Sequence, residues 1–260
     1  MRPLILISND DGIESTYLGA LADALVEADF ADVVVAAPER ERSAVSQSIT
    51  LHKPLRVDEV APNRFAVSGT PSDCMYIGLL HLVPRQPDLV VSGINRGFNL
   101  GADVFYSGTV AAAVEAGLRD IPALALSMSP QRGADVGGAV RFCVQLIAAV
   151  LPHGMTPNTV LNVNIPAEVG STFRWTFLGE RIYEDAVDMR HDPRGRPYYW
   201  IGGGVADNQA TPGSDCHAVA EGVVSVTPLH LDLTHHDLLE DAPTWHIDGY
   251  SLKPADEGSS

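Results

Sequence analysis

The strongest constraint on how this chain can fold is a rhythm. From residue 4 to residue 165, short apolar runs alternate with longer stretches of helical period. Leu4–Ser8, Ala31–Ala37 (ADVVVAA), Asp88–Ser92 (DLVVS), Ala123–Met128 and Thr159–Ile165 (TVLNVNI) read as strands. Tyr17–Ala28, with Leu18, Leu21 and Leu25 on one face, reads as a helix, as do Ser72–Val83, Val110–Leu118 and Val136–Leu151. Leu51–Val57 and Arg64–Ser68 read as a pair of shorter strands. Continuous apolar strands separated by helices form a parallel sheet covered on both sides. The expected class is therefore α/β: a Rossmann-like, three-layer, mostly parallel sheet with helices on both faces. After about Trp175 the pattern changes to hairpins rich in Arg, Tyr, Asp and Gly. Residues 1–175 are read as the catalytic core. Residues 176–260 are read as a C-terminal extension with a β-hairpin arm for oligomerisation, partly packed on the core. Its Tyr198-Tyr199-Trp200 cluster suits a neighbouring subunit or a satellite core equally well. The tail from Pro254 to Ser260 is expected to fray.

Charge narrows the function. The chain carries 17 Lys+Arg against 33 Asp+Glu, a formal net charge of -16. Such a field repels nucleic acid and anionic membranes, so neither is an expected partner. A small anionic substrate stays possible, because screening acts over roughly 8 Å and a local cation reverses the sign within a pocket. Cys74, Cys143 and Cys216 are odd in number and widely spaced, which argues against a disulfide framework. With no basic leader and no bilayer-length apolar run, a cytoplasmic protein is expected.

Polar residues collect where the strands end. The first strand runs into Asn9-Asp10-Asp11-Gly12. Adjacent carboxylates beside a core repel each other and lose hydration, and a divalent cation would relieve both costs. A solvated Asp-Gly turn is the alternative. The second strand delivers Pro38-Glu39-Arg40-Glu41-Arg42-Ser43, and the Asp88–Ser92 strand delivers Gly93-Ile94-Asn95-Arg96-Gly97. In a parallel sheet these loops share one edge, where ligands bind. Their carboxylate, hydroxyl and amide oxygens suit Mg²⁺ or Mn²⁺ and argue against structural zinc. Ser107-Gly108-Thr109 leads into a helix and offers free amides to an anion, or else a plain N-cap. A hard cation beside a phosphate site implies phosphoryl chemistry.

These residues carry a resemblance. The segments are Ser8–Gly12, Ala37–Ser43, Gly69-Thr70-Pro71-Ser72-Asp73-Cys74, Ser92–Gly101, Tyr106–Val110, Asp192–Arg196 with Tyr198–Trp200, and Ser225–Leu229. In that order they resemble the SurE family, the survival-protein E phosphatases acting on nucleoside 5′- and 3′-monophosphates. Glu39 and Ala111 depart from the family pattern, and neither is an expected ligand. The resemblance implies one divalent cation per subunit held by Asp10, Asp11, Ser43 and Asn95. It also implies phosphate contacts from Ser107, Gly108 and Thr109, and a homodimer or homotetramer with an exchanged C-terminal arm. Asp10, Asp11 and Asn95 are the expected catalytic residues, and Asn9 is expected to hold a further phosphoryl oxygen. The expected substrates are nucleoside monophosphates, with short polyphosphate left open. Two alternatives remain: a nucleotide sensor without catalysis, and a phosphatase forming an aspartyl-phosphate at Asp10 or Asp11. The histidines, including His217 and the pair His235-His236, are read as surface or packing residues.

Overall fold

The alternating apolar stretches become the strands and helices of one nine-stranded sheet and its two covering layers. The computed structural model describes residues 1–182, 187–202, 207–209, 211–240 and 247–251. In chain order the first part contains β1 (Leu4–Ser8), α1 (Thr16–Ala28), β2 (Asp32–Pro38), β3 (Val57–Ala61), β4 (Arg64–Val67), α2 (Pro71–Ile77), β5 (Leu89–Arg96), α3 (Gly108–Gly117), β6 (Ala123–Met128), α4 (Val136–Val150) and β7 (Thr159–Ile165). The remainder contains β8 (Phe173–Trp175), β9 (Glu180–Ile182), β10 (Val187–His191), β11 (Pro197–Ile201), β12 (Asp207–Gln209), α5 (Asp215–Ala220), β13 (Val224–His230) and α6 (His236–Glu240). The large sheet has the order β3-β4-β2-β1-β5-β6-β7-β13-β8. From β4 to β7 every pairing is parallel, while β3 and β13 each run antiparallel to a neighbour.

The period-2 geometry of a strand sorts the apolar residues into two cores. Ile5, Ile7, Val35, Leu89 and Val91 face Leu18, Leu21 and Leu25 of α1 and Ala139, Cys143 and Ile147 of α4. Leu4, Leu6, Val34 and Val90 face Met75 of α2 and Val110, Ala112, Ala113 and Ala116 of α3. Each fully buried leucine contributes about 1.5–3 kcal/mol, so these layers hold the sheet rigid beneath its loops. The alanines of α3 let that helix lie close to the sheet.

Three elements differ from the sequence reading. The strand expected at Asp88–Ser92 runs on to Arg96, with a register shift between Ser92 and Asn95, so Asn95 lies at the end of the strand and not in the loop. The strand expected at Leu51–Val57 lies later, at Val57–Ala61. Pro54 cannot donate to a ladder, and the turn at Asn63, which has a left-handed φ of 59°, sets the pairing back onto residues 57–61. The helix expected over Ser72–Val83 is α-helical only to Ile77, and a π-helical turn spans Gly78–Leu82. In the C-terminal part, β10 and β11 form a hairpin as expected, with Tyr199 and Trp200 exposed. Strand β13 enters the large sheet between β7 and β8. The expected fraying of Pro254–Ser260 lies outside the described residues. No helix among the described residues is long and apolar enough to cross a membrane.

Candidate active site

The site forms where the sheet reverses its direction of growth. Strand β1 has β2 on one side and β5 on the other, so the loops leaving β1 and β5 part and open a crevice. Asn9, buried at the start of the first loop, closes the turn. Its Nδ2 donates to the Gly12 carbonyl at 3.0 Å, and its Oδ1 accepts from the Gly12 amide at 3.1 Å. Gly12 has φ +97°, and a Cβ there would come within 3.0 Å of the Arg40 carbonyl carbon. A side chain at 12 would therefore push the second loop away. That loop is tied on by the Arg42 amide donating to the Asp10 carbonyl at 2.7 Å. Beyond it, the Ser43 hydroxyl donates to Glu41 Oε1 at 2.7 Å. Ser46 donates from its amide and hydroxyl to the Tyr106 and Phe105 carbonyls, at 3.1 and 2.6 Å. The second loop thus spans from Asp10 to the start of α3.

Asn95 stands at the end of β5, where the third loop begins, and its Nδ2 donates to the Gly97 carbonyl at 2.9 Å, committing the amide nitrogen rather than the oxygen. It continues to α3, where Ser107 Oγ accepts from the Val110 amide at 3.1 Å and caps the helix. Thr109 donates its hydroxyl to Asp10 Oδ1 at 2.6 Å. Between them, a Cβ on Gly108 would sit 2.9 Å from Asp10 Cβ and 3.1 Å from Asp10 Oδ2. The first strand's acid and the helix start are therefore in van der Waals contact, and the absent side chain permits it. The leading amides of an α-helix have no intrahelical acceptor and carry the positive end of its dipole.

Electrostatics confirm that this corner is short of positive charge. Burial pushes the Asp10 carboxyl up to about 6, opposed by the Thr109 hydrogen bond and aided by Asp11. Burial also raises Asp11, with the backbone amide of Arg96 acting against it and Glu41 adding to it. Asp11 Oδ2 is buried and has no hydrogen-bond partner. An ionised oxygen so placed is costly unless a cation meets it. The carboxylate oxygens of Asp10 and Asp11 are donors of the kind a hard divalent cation takes. Among the described residues no group of three or more His, Cys, Asp or Glu is arranged as a metal cluster. Carboxylate donors such as Asp10 and Asp11 suit Mg²⁺ or Mn²⁺ better than a nitrogen- and sulfur-loving ion.

The structure brings Asp10, Gly108 and Thr109 together by direct contacts, has Asn9 and Asp11 on either side of Asp10 in the chain, and places Ser43 on the second loop, Asn95 at the end of β5 and Ser107 at the cap of α3. Thr109 and Ser107 spend their hydroxyls on Asp10 and on the helix cap, the Thr109 amide also bonds Asp10, and the Ser107 amide donates to the Asp103 carbonyl at 3.0 Å. Of the arginines, Arg96 lowers the Asp11 pKa, while Arg40 is exposed and only 3.9 Å from Glu39. His217 lies against Arg174 and Glu221, and His236 bonds Asp232, all in the C-terminal part. A mostly apolar cavity of about 650 Å³ opens beside Ser107, between α3 and β13, lined in part by Phe105, Val110, Phe177 and Leu229. Sequence reasoning missed Asn99, Asn162, Asn164 and Asp215, which hold the third loop. The visible signal was two asparagines inside the apolar strand TVLNVNI.

Known proteins resemble this chain over most of its length. The family model described as Survival protein SurE matches residues 5–185. The 5′-nucleotidase SurE of Syntrophotalea carbinolica is 48% identical over 246 residues, 94% of this chain and 98% of that protein. The 5′-nucleotidase SurE of an Anaeromyxobacter species (strain Fw109-5) is 49% identical over 254 residues, 96% of this chain and 99% of that protein. The crystal structure of the SurE protein from Aquifex aeolicus superposes with a TM-score of 0.81 at 39% identity, covering 92% of this chain and 98% of that one.

Proposed function

The chain belongs to the SurE family, and from that premise we propose that it is a metal-dependent phosphomonoesterase releasing phosphate from nucleoside 5′- and 3′-monophosphates. One observation carries the reading. The buried Asp10, with the unpartnered Asp11 Oδ2 beside it, lies directly against the N-terminal turn of α3. That contact supports a cation and an anion bound side by side. Asp10, Asp11, Ser43 and Asn95 would hold one Mg²⁺ or Mn²⁺. Bound there, such a cation supplies Lewis-acid neutralisation of charge on the phosphoryl group. The turn Ser107-Gly108-Thr109 at the start of α3 would bind the remaining phosphoryl oxygens and orient the ester, chiefly through the Gly108 amide. Asn9 keeps the acid loop closed through its two bonds to Gly12 and is assigned a further phosphoryl oxygen. Thr109 holds Asp10 in one rotamer, so the carboxylate does not reorganise as charge develops. The cavity beside Ser107 is of a size for a nucleoside.

The finer assignments follow the same reading. Residues 1–175 act as the catalytic core and 176–260 as an extension whose exposed hairpin pairs subunits into a dimer or tetramer. Three unpaired cysteines suit a reducing, cytoplasmic compartment. The test is phosphate release from AMP by protein stripped with EDTA and then restored with Mn²⁺. Restored protein should turn over and Asp11→Asn should not. Folded, Mn²⁺-restored wild type that releases no phosphate from any nucleoside monophosphate would overturn the proposal.

A further inference from the structure

Strand β7 carries two asparagines, Asn162 and Asn164, where a strand at the centre of a sheet ordinarily buries aliphatic side chains. Both are fully buried and, two residues apart, lie on the same face. Both reach the same peptide of the third loop. The Asn99 amide donates to Asn164 Oδ1 at 2.8 Å. The Asn99 carbonyl accepts from Asn164 Nδ2 at 3.0 Å and from Asn162 Nδ2 at 2.8 Å. Asn99's own Nδ2 donates to Ser127 Oγ on β6 at 2.7 Å. The Asn164 carboxamide therefore pairs with Asn99 as a neighbouring strand's backbone would, donating and accepting at once. Two residues before, Gly97 is held by the Met128 carbonyl at 3.0 Å, and two residues after, the Gly101 amide donates to the buried Asp215 at 2.9 Å.

This clamp has a clear place in the site. The held stretch lies between Asn95 and the Ser107–Thr109 turn, on the one segment that carries both. Core stability alone does not explain the pair. Asn162 Oδ1 is buried without a partner, a cost that an aliphatic residue would avoid. We propose that Asn164, supported by Asn162, is a positioning residue: it fixes the third loop so that Asn95 and the α3 amides stand at set distances from Asp10 and Asp11. The inference rests on the metal and phosphate roles proposed above. It differs from them in naming residues that touch neither ligand and act through Asn99.

The experiment compares Asn164→Leu with Val163→Ala. Val163 is buried on the opposite face of the same strand, so Val163→Ala loosens β7 without touching the clamp. Mn²⁺ binding to each EDTA-stripped, refilled protein is measured by calorimetry, AMP turnover is measured at saturating Mn²⁺, and deuterium exchange is followed at residues 93–101. For Asn164→Leu we expect Mn²⁺ affinity or kcat to fall by about 10-fold or more, as for outer-shell partners of other metal sites. KM should change by less than about threefold, and amides 97–101 should exchange faster. Val163→Ala should lower Tm and leave all three unchanged. Should Asn164→Leu fail to fold, Asn162→Ala, which removes one of the three bonds to Asn99, should show the same pattern at smaller amplitude. If the asparagine variants bind Mn²⁺ and turn over like wild type, or lose only what Val163→Ala loses, the positioning role is overturned. Faster loop exchange in a protein whose wild type neither binds Mn²⁺ nor releases phosphate would sustain the clamp and remove the proposed function instead.

Discussion

Asp10 is the residue at which burial, charge and hydrogen bonding pull hardest against one another. Its carboxyl titrates near 6 rather than 3.8, so ionising it in the folded, metal-free protein costs about 3 kcal/mol more than in the unfolded chain. The folded state binds the proton more tightly than the unfolded one. The stability associated with that proton is fully present below about pH 3.8 and is lost as pH rises through about 6. At pH 7.5 the metal-free protein carries the whole penalty. Asp10→Asn removes the charge and keeps an acceptor for Thr109. Stripped Asp10→Asn should therefore melt several degrees above stripped wild type at pH 7.5, at about 2–4 °C per kcal/mol, and the gap should close towards pH 4. Adding Mn²⁺ should raise the wild-type melting temperature and leave that of Asp10→Asn unchanged. Equal melting temperatures of the stripped proteins at pH 7.5 would show that the acid is not strained there.

Between elements, the decisive contact is α3 against the loop after β1, and Gly108 sets its distance. In a helix alone, Gly108→Ala would be favourable by about 0.5–1 kcal/mol. Here the added Cβ would stand 2.9 Å from Asp10 Cβ and 3.1 Å from Pro71 Cγ. Something must move, and because a Cβ is fixed by its own backbone, the start of α3 and the loop carrying Asp10 must part, which displaces the Asp10 carboxylate. Gly108→Ala is expected to lower AMP turnover by about 10-fold or more, since misplacements of an ångström are costly in catalysis, with a circular dichroism spectrum like wild type. Full activity in that variant would mean the carboxylate tolerates the shift. The same contact shows the limit of sequence reading. Ser107 and Thr109 were visible as cap or phosphate ligands, but the bond from Thr109 to Asp10 joins residues 99 apart in the chain. No periodicity encodes such a bond.

For the whole molecule, the C-terminal hairpin leaves apolar surface in solvent. Val187, Met189, Tyr199, Trp200 and Ile201 of β10 and β11 are each more than half exposed. Small monomers seldom present so continuous an apolar ribbon, and aromatic residues are enriched at subunit contacts. If this arm joins subunits, Tyr199→Asp/Trp200→Asp should shift the mass measured by light scattering to that of a monomer of 27.7 kDa. The core's circular dichroism should be retained. An unchanged mass would place the subunit contact elsewhere. The large net negative charge fits the proposed substrate only through local chemistry. In the proposed site a phosphate dianion would meet a cation and the start of α3 at close range, while the distant field is screened beyond roughly 8 Å.

The sequence by itself determined the layered sheet and the chemical character of its edge. Leu4 to Ser8, Ala123 to Met128 and Thr159 to Ile165 are strands at the boundaries their apolar patterns imply, because period and burial are local properties. Asp10 and Asp11 announced a need for positive charge for the same reason: two acids after an apolar run conflict wherever that run is buried. The tertiary structure alone decided the rest. The order β2-β1-β5 puts the acid loop beside the Asn95 loop, and β13 returns from the C-terminal part to pair with β7. The asparagines of β7 became a clamp only because β6 and β7 lie where the third loop passes over them. Each of these depends on contacts between distant parts of the chain, and those energies are settled by packing the entire sheet at once.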